Sequence, residues 1–344
     1  MQNEITKPHD LLGKDGNLIE AGYSKTMLLN YNRENIKTNK LRIKEWDYYL
    51  IYNNNFGVAL TIADNGYMGL IGASLLDFKN AKEHTKNVMT FMPCGKFNLP
   101  KTSVIGDINF KNKNIDLSFK INKDNSRTLK FKMNNFKDKK TFVCEFTLEC
   151  EPKQNMCIAT PFDKPKHFYY NQKIVGFVAS GYVEFDNEII HFDNNSTVGI
   201  LDWGRGVWTY KNTWYWSSAI GYVNKVPFGF NLGYGFGNTK NATENMLFYN
   251  GMAHKLEDIK FEIPFNKKGK EDFLKPWKFT SNNGRFEMEF VPILDRYSNT
   301  NALIISSNQH QVFGKFSGYA ILDNGQKIEI KDFLGFAEKV VNKW

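Results

Sequence analysis

Between Pro227 and Gly237 the residues alternate in size with a period of two. Phe228, Phe230, Leu232, Tyr234 and Phe236 fall on one parity. Gly229, Gly233, Gly235 and Gly237 fall on the other, together with Asn231. A period of two belongs to a β-strand, whose side chains point alternately to opposite faces. When one face is bulky and the other nearly bare, the strand either lets another backbone come close or leaves room for a ligand.

The same rhythm covers most of the chain. It begins with LRIKEWDYYLIY (41–52), where Trp46, Tyr48, Leu50 and Tyr52 share one face and Glu45, Asp47, Tyr49 and Ile51 the other. Those two carboxylates read as solvent-facing, with the lining of a pocket as the competing assignment. Strand pairs are expected around three turns: Asp64-Asn65-Gly66, Asp186-Asn187 and Asn250-Gly251. The last of these would pair Tyr249 with Met252 and Leu247 with His254. Further alternating runs occupy 103–122, 128–136, 141–151, 277–293, 302–322 and 326–341. Only 75–89 has a spacing that suggests a helix, and residues 1–40 read as an irregular arm. An all-β protein of antiparallel strands, with few helices, is the expected fold class. The Pro- and aromatic-bearing stretch 159–172 breaks the rhythm and is the expected crossing between two halves.

Composition narrows the function. A chain of 344 residues with 42% hydrophobic and 15% aromatic content can build a sizeable core, and its length suggests about two domains. No apolar run approaches the ~18 residues of a membrane span. The N-terminus, MQNEITKPHD, lacks an apolar signal core, so a cytoplasmic location is expected. The net charge of +9 comes from dispersed lysines, with no basic cluster longer than KDKK or NKKGK, and nucleic acid is not an expected partner. Cys94, Cys144, Cys150 and Cys157 form no C-x-x-C pair and have no histidine at ligand spacing. No metal and no cofactor is expected.

Candidate site residues concentrate between Asp202 and Asn245, which holds Trp203, Trp208, Trp214 and Trp216 of the seven tryptophans. Asp202 shares parity with Val198 and Ile200 and so lies on an apolar face, where a carboxylate needs a partner. Gly204 and Gly206 flank Arg205 and would allow a bulge that swings the guanidinium toward Asp202. A structural Asp–Arg pair and a proton-donating Asp202 are the two readings of that arrangement, and they compete. Asp202 and Glu244 are the candidate catalytic groups. Arg205, Trp203, Trp214, Trp216, Tyr234, Asn231, Asn245 and His254 are the candidate ligand contacts, with core packing the alternative for the tryptophans and a structural role for His254. Two carboxylates with indole walls suit acid-catalysed chemistry on an apolar molecule. They also suit carbohydrate chemistry, with Asp202 and Glu244 as the acid and the nucleophile or base, or a carrier with no catalysis.

Several stretches carry a family resemblance: PHDLL (8–12), EAGYS (20–24), IKEWDYY (43–49), ADNGY (63–67), LDWGRGVW (201–208), TWYW (213–216), GFNLGYGFG (229–237), ATEN (242–245) and NGMAHKL (250–256). On these the chain resembles the domain of unknown function 2804 family over nearly its whole length. GYVEFDN before an Asp-Trp turn and a W-x-W strand, with GKFSGYAILDNG and GFAEKVVNKW late in the chain, is more distantly similar to tandem calycin-like proteins of the hydroxyneurosporene synthase (carotenoid hydratase) group. In those relatives the turn looks like Asp-His-Glu-Trp-Gly; here it reads Asp-Trp-Gly-Arg-Gly, so Asp202 carries over as a position without its role. The resemblance implies two packed lipocalin-like (calycin) barrels, divided here as 1–175 and 176–344, with an aromatic-lined cavity for an apolar small molecule such as an isoprenoid or lipid. Hydration, isomerisation or cyclisation of a double bond is the chemistry it suggests.

Overall fold

Alternation translates directly into two curled antiparallel sheets. The computed structural model describes residues 2–302 and 305–344. One sheet has 13 strands and the other nine, with a small pair of strands in the N-terminal arm. In the first sheet a continuous path runs from the Lys82–Phe91 edge through Met68–Asp77, Phe56–Asp64, Ile43–Tyr52, Val198–Val207 and Phe168–Phe185. It continues through Lys140–Glu149, Arg127–Lys137 and Ile115–Ile121 to Ile108–Lys111. The second sheet centres on Lys211–Val223, which pairs with Val226–Tyr234 on one side and Lys327–Lys343 on the other. Beyond Lys327–Lys343 lie Ile305–Ile321 and Phe286–Ala302. Of the run expected over 302–322, Leu303 and Ile304 lie outside the described residues.

The three expected turns form. Asp186, Asn187, Asn250 and Gly251 all have the positive φ that a type I′ hairpin needs, and Tyr249 faces Met252 while Leu247 faces His254. The helix expected over 75–89 does not form. That stretch is the end of one strand, a turn, and the Lys82–Phe91 edge strand. Among the described residues the helical content is two short 3₁₀ turns, Arg33–Asn35 and Lys40–Arg42. No helix among the described residues is long and apolar enough to cross a membrane. Residues 159–172 do not cross between halves either. The Met156–Pro161 strand folds back on Phe168–Phe185 within the first sheet. The sheets change over between Val207 and Lys211, later in the chain than the expected division at 175/176.

Parity sorts the side chains into three cores. Odd residues of Ile43–Tyr52, such as Tyr49 and Ile51, fill the hollow of the first sheet with Phe131, Phe146 and Leu201. Phe228, Phe230 and Leu232 fill the hollow of the second with Phe279, Phe290 and Phe316. The third core is the seam where the sheets meet back to back: Tyr48, Leu50, Tyr52 and Ile200 from one, Trp216, Ile220, Phe313 and Phe336 from the other. Leu50 and Phe336 are completely buried there, each contributing about 1.5–3 kcal/mol from removal of apolar surface. Tyr52 bolts the seam: its hydroxyl accepts from the Ile220 amide at 2.8 Å and donates to the Ile220 carbonyl at 3.1 Å.

Candidate functional site

The glycine-bare face of Val226–Tyr234 looks into this seam, and both readings of it hold at different heights. A Cβ on Gly229 would meet the Ala219 carbonyl at 2.7 Å and Val175 at 3.1 Å, so there the first sheet packs solidly against it. At Gly233 the space is taken by the Glu244 side chain, 3.0 Å from where a Cβ would stand. Around Glu244 the seam opens into a cavity of about 230 Å³.

The Asp-Trp-Gly-Arg-Gly-Val-Trp run builds one wall by strict alternation. The ladder from Val198–Val207 to Ile43–Tyr52 has no bulge, so Asp202, Gly204 and Gly206 face the cavity while Trp203, Arg205 and Val207 face the hollow of the first sheet. Gly204 and Gly206 leave that stretch of strand bare: a Cβ on Gly204 would fall inside the Trp46 indole. Trp46 therefore lies over the strand, stacked on Tyr169 (6.0 Å, 10°). Trp208 then packs edge-on to Trp46 (77°), Trp214 (73°) and Phe236 (76°).

This alternation separates two expected partners. Arg205 does not reach Asp202. Its guanidinium is completely buried and bonds Asp47 Oδ1 at 3.0 Å and the Trp46 and Pro100 carbonyls, stacking over Trp203 at 4.3 Å. Trp203 itself packs against Tyr31 and Tyr170 in the same hollow, so neither Arg205 nor Trp203 touches the cavity. Asp47 and Glu45 are not solvent-facing. Asp47 pairs with Arg205, and Glu45 accepts from the Tyr31 hydroxyl at 2.7 Å and pairs with Arg33.

Asp202 finds another cation. Lys173 is its register partner on the Phe168–Phe185 strand, and Nζ lies 2.8 Å from Oδ1. Asn171 Nδ2 donates to the same oxygen at 2.6 Å. The Lys173 ammonium also sits 3.9 Å from the centre of the Trp216 ring, occupying one face of that indole. Glu244 completes the group. Burial raises its carboxyl above the usual range, helped by the Asp202 charge and opposed by Lys173 and the Tyr169 hydroxyl.

Across the second sheet one transverse row reads Gly233, Trp216, Glu338, Gln311, Arg296, each the register partner of the next. Glu338 Oε1 accepts from the Trp214 indole at 2.8 Å and Oε2 from Gln309 at 3.0 Å. Burial pushes its carboxyl up to about 6, against the opposing pull of Trp214, Arg296 and Gln309. Lys173, Glu338, Arg296 and Tyr169 all line the cavity and are absent from the residues singled out in the sequence. Glu338 had a signal: it shares parity with Leu334, Phe336 and Val340 on an apolar strand face.

The remaining candidates divide. Trp214, Trp216 and Tyr234 line the cavity with Asp202 and Glu244. Asn231 braces it from behind, accepting from the Trp216 indole at 2.8 Å and donating to the Glu244 carbonyl at 3.0 Å. Asn245 is a backbone clamp between Gly233 N and the Glu257 carbonyl. His254 pairs with Asp323 (3.4 Å) and is not in the cavity wall. No cluster of metal-ligating side chains occurs among the described residues.

Two curled antiparallel sheets joined back to back, with an aromatic cavity in the seam, make a tandem calycin-type fold. The chain belongs to the family described as Domain of unknown function (DUF2804), whose model matches residues 2–344. Two solved structures are similar in fold. A candidate ATTH protein from Nitrosomonas europaea has a TM-score of 0.57 and 13% identity, covering 90% of this chain and 96% of its own. Kievitone hydratase from Nectria haematococca has a TM-score of 0.53 and 12% identity, covering 88% of each chain. No curated protein matches the sequence.

Proposed function

We propose that the protein binds one small, largely apolar molecule in the seam between its sheets and adds water across a double bond of that molecule by acid catalysis. The observation that carries this is Glu244, a carboxyl raised by burial, set beside an Asp202–Lys173 ion pair under an indole wall. Neighbouring carboxyl groups with divergent environments divide acid and base roles. Glu244 donates a proton to one alkene carbon. Water then attacks the other carbon and gives its proton to Asp202, so alkene and water become an alcohol. Protons return from Asp202 to Glu244 through solvent. The cationic intermediate lies beside the carboxylate that Glu244 becomes and beside Asp202, with the face of Trp216 already covered by Lys173. That a kievitone hydratase shares the fold supports the reading.

Carbohydrate chemistry is the weaker reading. A sugar platform needs an open flat ring, whereas Trp46, Trp208, Trp214 and Phe236 interlock edge to face. The test is mass spectrometry of small molecules released from purified protein, followed by incubation of the captured molecule with wild type and Glu244→Gln. An apolar molecule that gains one water with wild type only is the expected result. A bound glycan would replace this reading with the carbohydrate one. Capture and release without conversion would reduce the protein to a carrier.

A further inference from the structure

The charged groups of the cavity are not all in direct contact with an opposite charge. Asp202 and Glu244 flank Lys173 at one end. At the other end stands Arg296, whose Nε donates to Thr85 Oγ1 at 3.2 Å and Nη1 to Gln311 Oε1 at 2.7 Å. Both acceptors are neutral. Arg296, half-buried, makes no ion pair with a carboxylate among the described residues, whereas the fully buried guanidiniums are paired, Arg205 with Asp47 and Arg127 with Glu151. Glu338 is the nearest acid along the row, but its two oxygens are committed to Trp214 and Gln309. The other groups at this end, Asn87, Ser307, Gln309 and Gln311, are uncharged.

Glu338 acts on this guanidinium from a distance, but no carboxylate meets it directly among the described residues, and the Nη edge beyond its bonds to Thr85 and Gln311 is shaped for a planar oxyanion. We infer that Arg296 binds a carboxylate on the ligand, so that the substrate class is an apolar carboxylic acid rather than a neutral hydrocarbon. Dimensions agree with this. Arg296 lies two strands from Glu338 and three from Trp216 in the same row, which is about 10 and 14 Å at the usual strand spacing. A carboxylate held at Arg296 lays the apolar body across Glu338 toward Trp216, Asp202 and Glu244. The acid group anchors one end and the reacting carbons reach the other. This inference rests on the cavity being a site for small apolar molecules.

The competing role for Arg296 is a tether, since Thr85 belongs to the first sheet and Gln311 to the second. The two roles separate in a binding measurement. The probes are 4-phenylbutyrate and its methyl ester, which share the apolar body and differ in charge, followed by quenching of tryptophan fluorescence. Wild type is expected to bind the acid about tenfold more tightly than the ester, as a charge-assisted bond in a desolvated site requires. Arg296→Gln should abolish that preference by weakening the acid alone, and Arg296→Lys should restore part of it. If Arg296→Gln stays folded by thermal melting and keeps the acid/ester ratio, or weakens both probes alike, the carboxylate assignment falls while the apolar site stands. If wild type binds neither probe, the site and the assignment fall together.

Discussion

Glu338 shows how one side chain reports on its surroundings. Its carboxyl sits at about 6 in the folded protein against 4.5 for an ordinary glutamate. The folded state therefore keeps a proton that the unfolded chain has already released. Stability falls as pH rises from about 4.5 through about 6 and stays lowered above, by roughly 2 kcal/mol for this shift. Glu338→Gln carries no such proton. In urea unfolding the variant should gain about 2 kcal/mol relative to wild type between pH 4.5 and 7. A difference that does not change with pH would contradict the assignment. Lys44 and Lys255, both pulled down to about 7 by burial, act in a separate window. Their folded forms have given up a proton by about 7 that the unfolded chain keeps until about 10.5, so between these values stability rises with pH.

Among the strands, Val198–Val207 carries the most consequence per residue. Gly204 lets the Trp46 indole lie across the strand, and Gly206 lets the Phe168 backbone come close. Gly204→Ala would drive a methyl group into the Trp46 indole, and overpacking of this kind costs about 1–3 kcal/mol. The expected result is a lower melting temperature together with altered tryptophan fluorescence, because Trp46 must leave its stack on Tyr169. An unchanged melt would mean the indole moves freely. The alternation that builds this wall was readable from the chain, as were the hairpins, the antiparallel class and the gathering of Asp202, Glu244, Trp214 and Trp216. What misled was the expectation of a bulge at Gly204–Gly206. An unbroken ladder keeps parity, and parity sends Arg205 and Asp202 to opposite faces. The Lys82–Phe91 edge was unreadable for a different reason: both of its faces are partly exposed, so it has no apolar side to show period two. Lys173, Glu338 and Arg296 went unnoticed because each meets its partners from strands that are neighbours in space and distant in the chain. The seam itself could not be foreseen, since periodicity identifies two faces of a strand without saying which of them another sheet will cover.

For the molecule as a whole, the shared core means that the two sheets do not have separate fates. Tyr48, Leu50, Tyr52, Trp216, Ile220 and Phe336 belong to neither hollow, and parting the sheets would expose all of them. Unfolding in urea should therefore be one transition, with tryptophan fluorescence and far-ultraviolet circular dichroism superimposing. Two separated steps would show that the seam is weaker than its burial implies. Thiol chemistry gives an independent check. Cys94 and Cys150 are exposed and Cys144 and Cys157 buried, with burial driving both buried thiols far above their ordinary range. A thiol reagent should modify the first two rapidly and the second two only after that single transition.

The passage from one sheet to the next takes only Trp208, Thr209 and Tyr210. Trp208 is gripped there by Arg42, whose guanidinium donates twice to its carbonyl (3.2 and 2.9 Å), while its ring stands among Trp46, Trp214 and Phe236. The joint of the molecule and the lining of its chamber thus share Trp208. Lengthening that joint by even a few residues would slacken the grip and the chamber in one stroke, so the spacing between the halves is as much a part of the site as any side chain in it.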